Sequence, residues 1–160
     1  MDESDAGDAP VRAADHPLAS AKYVAVTTFR RSGVPVTTPV WFAPSLDEPG
    51  LFAVITVDDT GKTKRLAHTD TVDLQACDVR GKVATGAPVF HGTARIVRDA
   101  AGVASVRRAV VAKYGLPARF SDLTDLVGSR VGLKRAPRAG ILVSADPTPG
   151  APRTGPPAGG

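Results

Sequence analysis

Residues 56–66 read Thr56-Val57-Asp58-Asp59-Thr60-Gly61-Lys62-Thr63-Lys64-Arg65-Leu66. Three cations, Lys62, Lys64 and Arg65, fall within four positions, beside threonine hydroxyls and Gly61. The pattern predicts a strand that stops at the two aspartates and a short helix that opens at Gly61. Backbone N–H groups at such a junction point outward with partial positive charge. Lys and Arg side chains beside them suit a phosphate. The triplet Gly61-Lys62-Thr63 imitates the end of a P-loop. The full motif needs a glycine five residues before Gly61, and that position holds Thr56. A nucleotide triphosphatase is therefore disfavoured, and retention of a phosphorylated small molecule survives. The same residues would also suit a solvated helix start, and the segment alone does not separate the two.

A second group is Thr37, Thr38, Pro39, Val40 and Trp41. Threonine hydroxyls and exposed strand amides can hydrogen-bond a planar heterocycle, and Trp41 can wall it off. Against this, a lone tryptophan more often belongs to a core. His16, His68 and His91 show no metal-ligand spacing with one another or with Cys77. His68 reads as the end of a helix, and Cys77 as a small buried apolar residue. No Ser, His and acid spacing announces a triad. Arg130, Lys134, Arg135 and Arg138 form a basic stretch without acids. It reads as a solvated loop, or as a contact for a polyanionic cofactor tail.

These groups need elements to carry them. Pro17 to Lys22 suggests a helical turn. Tyr23–Phe29 is β-branched and aromatic and reads as a strand. Gly33 turns the chain into a partner strand, Val34–Phe42, whose Pro35 and Pro39 lack donors and mark a sheet edge. Leu51–Val57 is a third strand, and a short helix follows over Gly61–His68. Thr71–Cys77 is a fourth strand, with Val72, Leu74 and Ala76 alternating against Asp73, Gln75 and Cys77. Val89–Arg98 is a fifth. Asp99 caps a helix over Ala100–Tyr114 whose apolar stripe is Val103, Val106 and Val110, and Gly115 and Pro117 stop it. Ser121–Val127 suggests one more short helix, and Gly140–Ala145 a last strand. Early hairpins and few helices predict a small antiparallel barrel, not alternating βαβ units.

The 160 residues suffice for one domain. Residues 1–15 are acidic and poor in large apolar groups and read as a disordered arm. Residues 146–160 hold five Pro and four Gly and read as a disordered tail. The folded body is expected over residues 16–145. One cysteine allows no internal disulfide, which fits a reducing compartment, most simply the cytoplasm. No apolar run predicts a membrane span or a signal core. Residues 1–16 carry five acids and one Arg, a net of −4, so the rest of the +4 chain carries +8. That field attracts anions. The cations are scattered and only 5% of residues are aromatic, so nucleic acid is a minor possibility.

The segment from Tyr23 through Arg30-Arg31-Ser32-Gly33 to Trp41-Phe42 resembles the opening hairpin of the pyridoxamine-phosphate-oxidase-like (PPOX) split β-barrel superfamily. Gly61-Lys62-Thr63-Lys64-Arg65-Leu66 resembles its phosphate-binding helix start. Cys77-Asp78-Val79-Arg80-Gly81, His91-Gly92-Thr93-Ala94-Arg95 and Ala112-Lys113-Tyr114-Gly115 follow in the order seen in a branch of coenzyme F420-dependent enzymes. One departure is Thr69-Asp70-Thr71, where relatives often carry an Asn-Pro turn.

The resemblance implies a mainly β (α+β) fold, a six-stranded antiparallel split barrel of the FMN-binding type with short helices. It implies a homodimer with the cofactor at the subunit interface, and no membrane. It implies the deazaflavin F420, or FMN as the alternative, and hydride transfer to a small organic acceptor with an activated C=C or C=N bond. Non-catalytic binding of a flavin or tetrapyrrole is the other alternative. Cofactor contacts are then expected from Thr37, Thr38, Pro39, Val40, Trp41, Thr56, Lys62, Lys64, Arg65 and Arg80. No catalytic residue is named, no metal is expected, and the proton that follows hydride falls to solvent or a positioned water.

Overall fold

The computed structural model describes residues 11–57, 61–115 and 138–150. Two 3-10 turns, Ala13–Asp15 and Pro17–Ser20, lead into β1 (Tyr23–Phe29). Then come β2 (Pro35–Val40), β3 (Ala43–Pro44), β4 (Phe52–Val57), the short helix α1 (Gly61–Leu66) and β5 (Thr71–Cys77). β6 (Phe90–Val97), helix α2 (Ala100–Tyr114) and β7 (Arg138–Ala145) complete the order. The predicted helix over Ser121–Val127 and most of the basic stretch from Arg130 lie outside the described residues. No helix among the described residues is long and apolar enough to cross a membrane.

One antiparallel sheet holds all seven strands in the order β2-β1-β5-β6-β7-β4-β3. It is a curled half-barrel, as expected, with one strand more than predicted. The extra strand comes from the predicted run Val34–Phe42, which breaks after Val40. Its first part, β2, lies on one edge of the sheet, and Ala43–Pro44 pairs with β4 at the other edge. Only Trp41 and Phe42 separate the two edge strands. Three peptide links reach no further than about 11 Å. The sheet must therefore curl until its edges nearly meet. Pro35 and Pro39 sit on an edge strand, where missing donors are tolerated.

The concave face carries the main core, including Leu18, Val24, Val26, Phe42, Phe52, Val54, Leu74, Phe90 and Ile141. On the other side α2 lays Val106, Ala109 and Val110 over Ala43 and Ala53. The predicted stripe of α2 is rotated slightly: Val103 is only half-buried and Ala109 is buried. Asp99 caps the helix by accepting the Gly102 N–H at 2.9 Å, and Gly115 ends it at φ +92°.

Two departures follow from what covers the sheet. Asp73 is buried and Ala76 exposed, the reverse of a simple alternation. The loop after β5 folds back over the convex face, where Gln75 Nε2 donates to the Ala87 carbonyl at 3.2 Å. Cys77 is half-buried rather than buried, and burial together with Asp78 pushes its thiol up.

Gly92 stands opposite Ala145 where β6 and β7 pair, and a Cβ there would run into the Ser144 carbonyl oxygen. Backbone cannot yield as a side chain can. Gly92→Ala is expected to cost about 1–3 kcal/mol, the usual range for overpacking. A urea midpoint within error of wild type would show that the ladder has slack.

Candidate functional site

Helix α1 follows β4 after three residues and packs its Thr63 and Leu66 inward; Thr63 is 2% exposed. That orientation sends Lys62 and Arg65 toward the edge hairpin. Lys62 Nζ lies 3.4 Å from Thr38 Oγ1 on β2. Arg65 Nε donates to Thr28 Oγ1 on β1, and Thr28 is buried. Strand register makes this possible. Val26 faces Thr38 and Thr28 faces Val36, so both threonines lie on the concave side, where α1 sits.

The two cations are held at a cost. Burial pushes the Lys62 ammonium below its ordinary pKa, and the neighbouring Arg65 adds to this. Burial also lowers Arg65, with Arg30 as the second cause. Their side-chain partners are neutral hydroxyls. None of Arg30, Arg31, Lys62 and Arg65 is ion-paired with a carboxylate among the described residues. Desolvated like charges that converge on hydroxyl groups form a site for an oxyanion.

The other predicted residues are distributed around this corner. Thr37 is exposed on the convex side, its Oγ1 2.7 Å from Thr27 Oγ1. Pro39 shares that side and lies under the turn that carries Arg80. A Cβ on Gly81 would come within 3.3 Å of Pro39 Cδ, and Gly81 has φ +85°. Asp78 Oδ1 accepts the Arg80 and Lys82 N–H groups, each at 2.8 Å, which shapes the turn. The turn that carries Arg80 thus lies against the convex side of β2, whereas Lys62 reaches β2 from the concave side. Val40 packs against the main core. Trp41 stacks on Tyr114, with ring centroids 4.9 Å apart and planes 12° off parallel. Thr56 is half-buried on the face of β4 that carries Val54. Lys64 is exposed, two positions from Lys62 and so on a different side of α1. The structure brings together Thr38, Lys62 and Arg65, and it holds Trp41 and Arg80 away from them.

Two polar features escaped the sequence. Thr37, Thr27, Asp73 and His91 stand opposite one another on β2, β1, β5 and β6. Within this row His91 Nδ1 is 2.7 Å from Asp73 Oδ1, a carboxylate that is 8% exposed. Only the strand register reveals the row. The second is the end of α2. Lys113 Nζ donates to the Ala21 carbonyl at 2.6 Å and to the Phe42 carbonyl, and Tyr114 Oη accepts the Phe42 N–H at 2.9 Å. The helix C-terminus is thereby tied to the entry of β1 and the link between β2 and β3.

Burial lowers the Lys113 pKa from 10.5 to about 8. The unfolded chain then binds more protons than the folded one between those values. Stability is expected to rise with pH across that window and to gain nothing more from Lys113 below about pH 8, where both states are protonated. Subtracting the denaturation free energy of Lys113→Met, pH by pH from 7 to 10.5, isolates this slope. A flat difference would mean that the two carbonyls restore an ordinary ammonium.

The pyridoxamine 5'-phosphate oxidase family model matches residues 12–141. The chain belongs to this family. No curated protein matches it. Among solved structures, an F420 reductase superposes with a TM-score of 0.51 at 17% identity, covering 81% of this chain and 90% of its own. The conserved hypothetical protein Rv2991 from Mycobacterium tuberculosis gives 0.53 at 19% identity, covering 97% and 93%. HutZ, the heme storage protein from Vibrio cholerae, gives 0.50 at 14% identity, covering 82% and 84%. At these identities the likeness is one of fold. The family includes oxidoreductases and binds flavins such as FMN.

Proposed function

We propose that the protein is an F420-dependent oxidoreductase that passes hydride between the reduced deazaflavin and a small organic acceptor with an activated C=C or C=N bond. The observation that carries this is the pair of desolvated cations, Lys62 and Arg65, set on the hydroxyls of Thr38 and Thr28. Lys62 and Arg65 would hold the cofactor phosphate, with Thr38 turning its hydroxyl to the same anion. Thr37, Pro39 and Val40 continue along the edge strand and would border the ring. Thr56, Lys64, Arg80 and Trp41 stand further out, and Trp41 would act through its stack on Tyr114. When bound, the deazaflavin supplies the hydride. The chain binds and orients, and proton delivery stays with solvent or a positioned water.

The F420 reductase among the structural neighbours favours this reading. FMN carries the same ribityl phosphate and is the second reading, since the family binds flavins. A homodimer with the cofactor between subunits is part of the proposal, because β2 lies on an open edge. Equilibrium fluorescence titration with F420 and with FMN is the test, with light scattering on the same sample. Tighter binding of F420 by a dimer is expected. Tighter binding of FMN would move the protein to the flavin branch. Binding of neither would overturn the oxidoreductase reading in favour of a non-catalytic barrel.

A further inference from the structure

The cations of the phosphate corner do not stop at Arg65. Arg30, in the turn between β1 and β2, is a second positive charge whose repulsion, after burial, lowers the Arg65 pKa. That turn is well closed. The Arg30 N–H donates to the Val34 carbonyl at 3.0 Å, the Gly33 N–H donates back to the Arg30 carbonyl at 2.8 Å, and Gly33 takes φ +87°. The next residue, Arg31, reaches across to the turn that ends α1. Its Nε lies 3.3 Å from His68 Nδ1 and 3.2 Å from His68 Nε2. His68 is itself tied to α1, because its N–H donates to the Arg65 carbonyl at 3.1 Å. The Arg31 guanidinium is thus held at the His68 imidazole, just beyond the helix that carries Lys62 and Arg65. Both Arg30 and Arg31 are exposed.

Such an arrangement works against the stability of the free protein, since like charges repel and, among the described residues, no carboxylate pairs with them. It becomes favourable when an anion lies among them. We propose that Arg30, Arg31 and His68 extend the Lys62–Arg65 corner into a site for a ligand that bears several anionic groups in succession. The first group sits on Lys62 and Arg65, and the next on Arg30 and Arg31. His68 is a positioning residue: it fixes the Arg31 fork rather than meeting the ligand. The inference rests on the proposed function only in placing the first anion. It adds that the ligand is charged beyond that phosphate, whether by a second phosphate or by carboxylates. A nucleic-acid strand is the weaker occupant, because among the described residues the exposed large hydrophobic side chains are Val11, Val34, Leu46 and Val79, and none of these is aromatic.

Inorganic tripolyphosphate and orthophosphate are the probes, titrated calorimetrically into the full chain at one fixed ionic strength. Tripolyphosphate is expected to bind about tenfold more tightly or better, the low end for added charge-assisted contacts. Arg31→Gln should remove most of that advantage and leave orthophosphate within about twofold. His68→Ala should do the same, whereas Lys62→Met should weaken both anions. Because Arg31 is exposed, the thermal midpoint of Arg31→Gln should not fall. Equal affinities for the two anions, or equal losses for both on Arg31→Gln, would overturn the site. So would a single-stranded oligonucleotide that binds more tightly than tripolyphosphate through Arg31. F420 with and without its glutamate tail, and FAD against FMN, then show whether carboxylates or a second phosphate fill the extension. Cofactor binding without any tripolyphosphate preference defeats this inference alone. Tripolyphosphate preference without binding of F420 or FMN defeats the proposed function alone.

Discussion

Replacing His16 with alanine is expected to destabilise the protein by about 3–5 kcal/mol. His16 is 4% exposed and sits edge-on to two aromatic rings, 5.5 Å from Phe52 and 4.6 Å from Phe90 by ring centroid. Both of its nitrogens are used. Nδ1 accepts the Leu18 N–H at 3.0 Å, so Nε2 carries the proton and donates to the Asp146 carbonyl at 2.9 Å. The ring is therefore a clasp between the 3-10 turns that precede β1 and the residue that follows β7. The Asp146 N–H continues the clasp by donating to the His91 carbonyl at 2.8 Å. Alanine would leave a cavity among aromatic side chains, and it would leave a buried donor without its acceptor. The first term alone reaches a few kcal/mol for a ring, and an unmet buried donor adds about 1–3 kcal/mol. Urea unfolding at neutral pH measures the sum. His16→Phe separates the terms, since it refills the volume but restores neither hydrogen bond. It should recover part of the loss and not all of it. A loss below about 1 kcal/mol for His16→Ala would mean that water or a shifted loop replaces the ring without difficulty.

Removing the Lys62 charge is expected to weaken cofactor binding by about 1.5–3 kcal/mol, the range for a hydrogen bond to a charged group. Lys62→Met is the better variant, because it keeps an apolar stem over the sheet while deleting the ammonium. The stability of the free protein should move the other way or not at all. Lys62 is half-buried beside Arg65, and both that burial and that neighbour work against its charge. Deleting a desolvated cation next to another relieves repulsion. Affinity and stability thus respond in opposite directions, which a purely structural lysine would not show. Fluorescence titration and the thermal midpoint, taken on the same preparations, read both. Unchanged affinity would remove Lys62 from the site. A falling midpoint would show that its contact with Thr38 matters to the fold itself.

The local elements were legible because their signals are local. β-branched runs set β1, β5 and β6, Asp99 and Gly115 bound α2, and Gly33 sets the hairpin turn. The basic run after β4 was legible as a phosphate candidate because charge and glycine spacing need no partner to be seen. What the chain could not display along its length is which hydroxyls those cations meet. Lys62 and Thr38 are 24 positions apart, and Arg65 and Thr28 are 37 apart; they meet because the sheet curls and α1 caps its concave side.

The sequence by itself determined the strands, the caps, the basic corner and, through five short motifs in order, the family. The tertiary structure decided the rest. It split Val34–Phe42 between two sheet edges, because a two-residue link can join them only if the sheet curls. It buried Asp73 beside His91, since cross-strand register brings them opposite one another. It turned His16 from an isolated histidine into a clasp. Register and closure are collective properties of the whole sheet, and no window of the chain contains them.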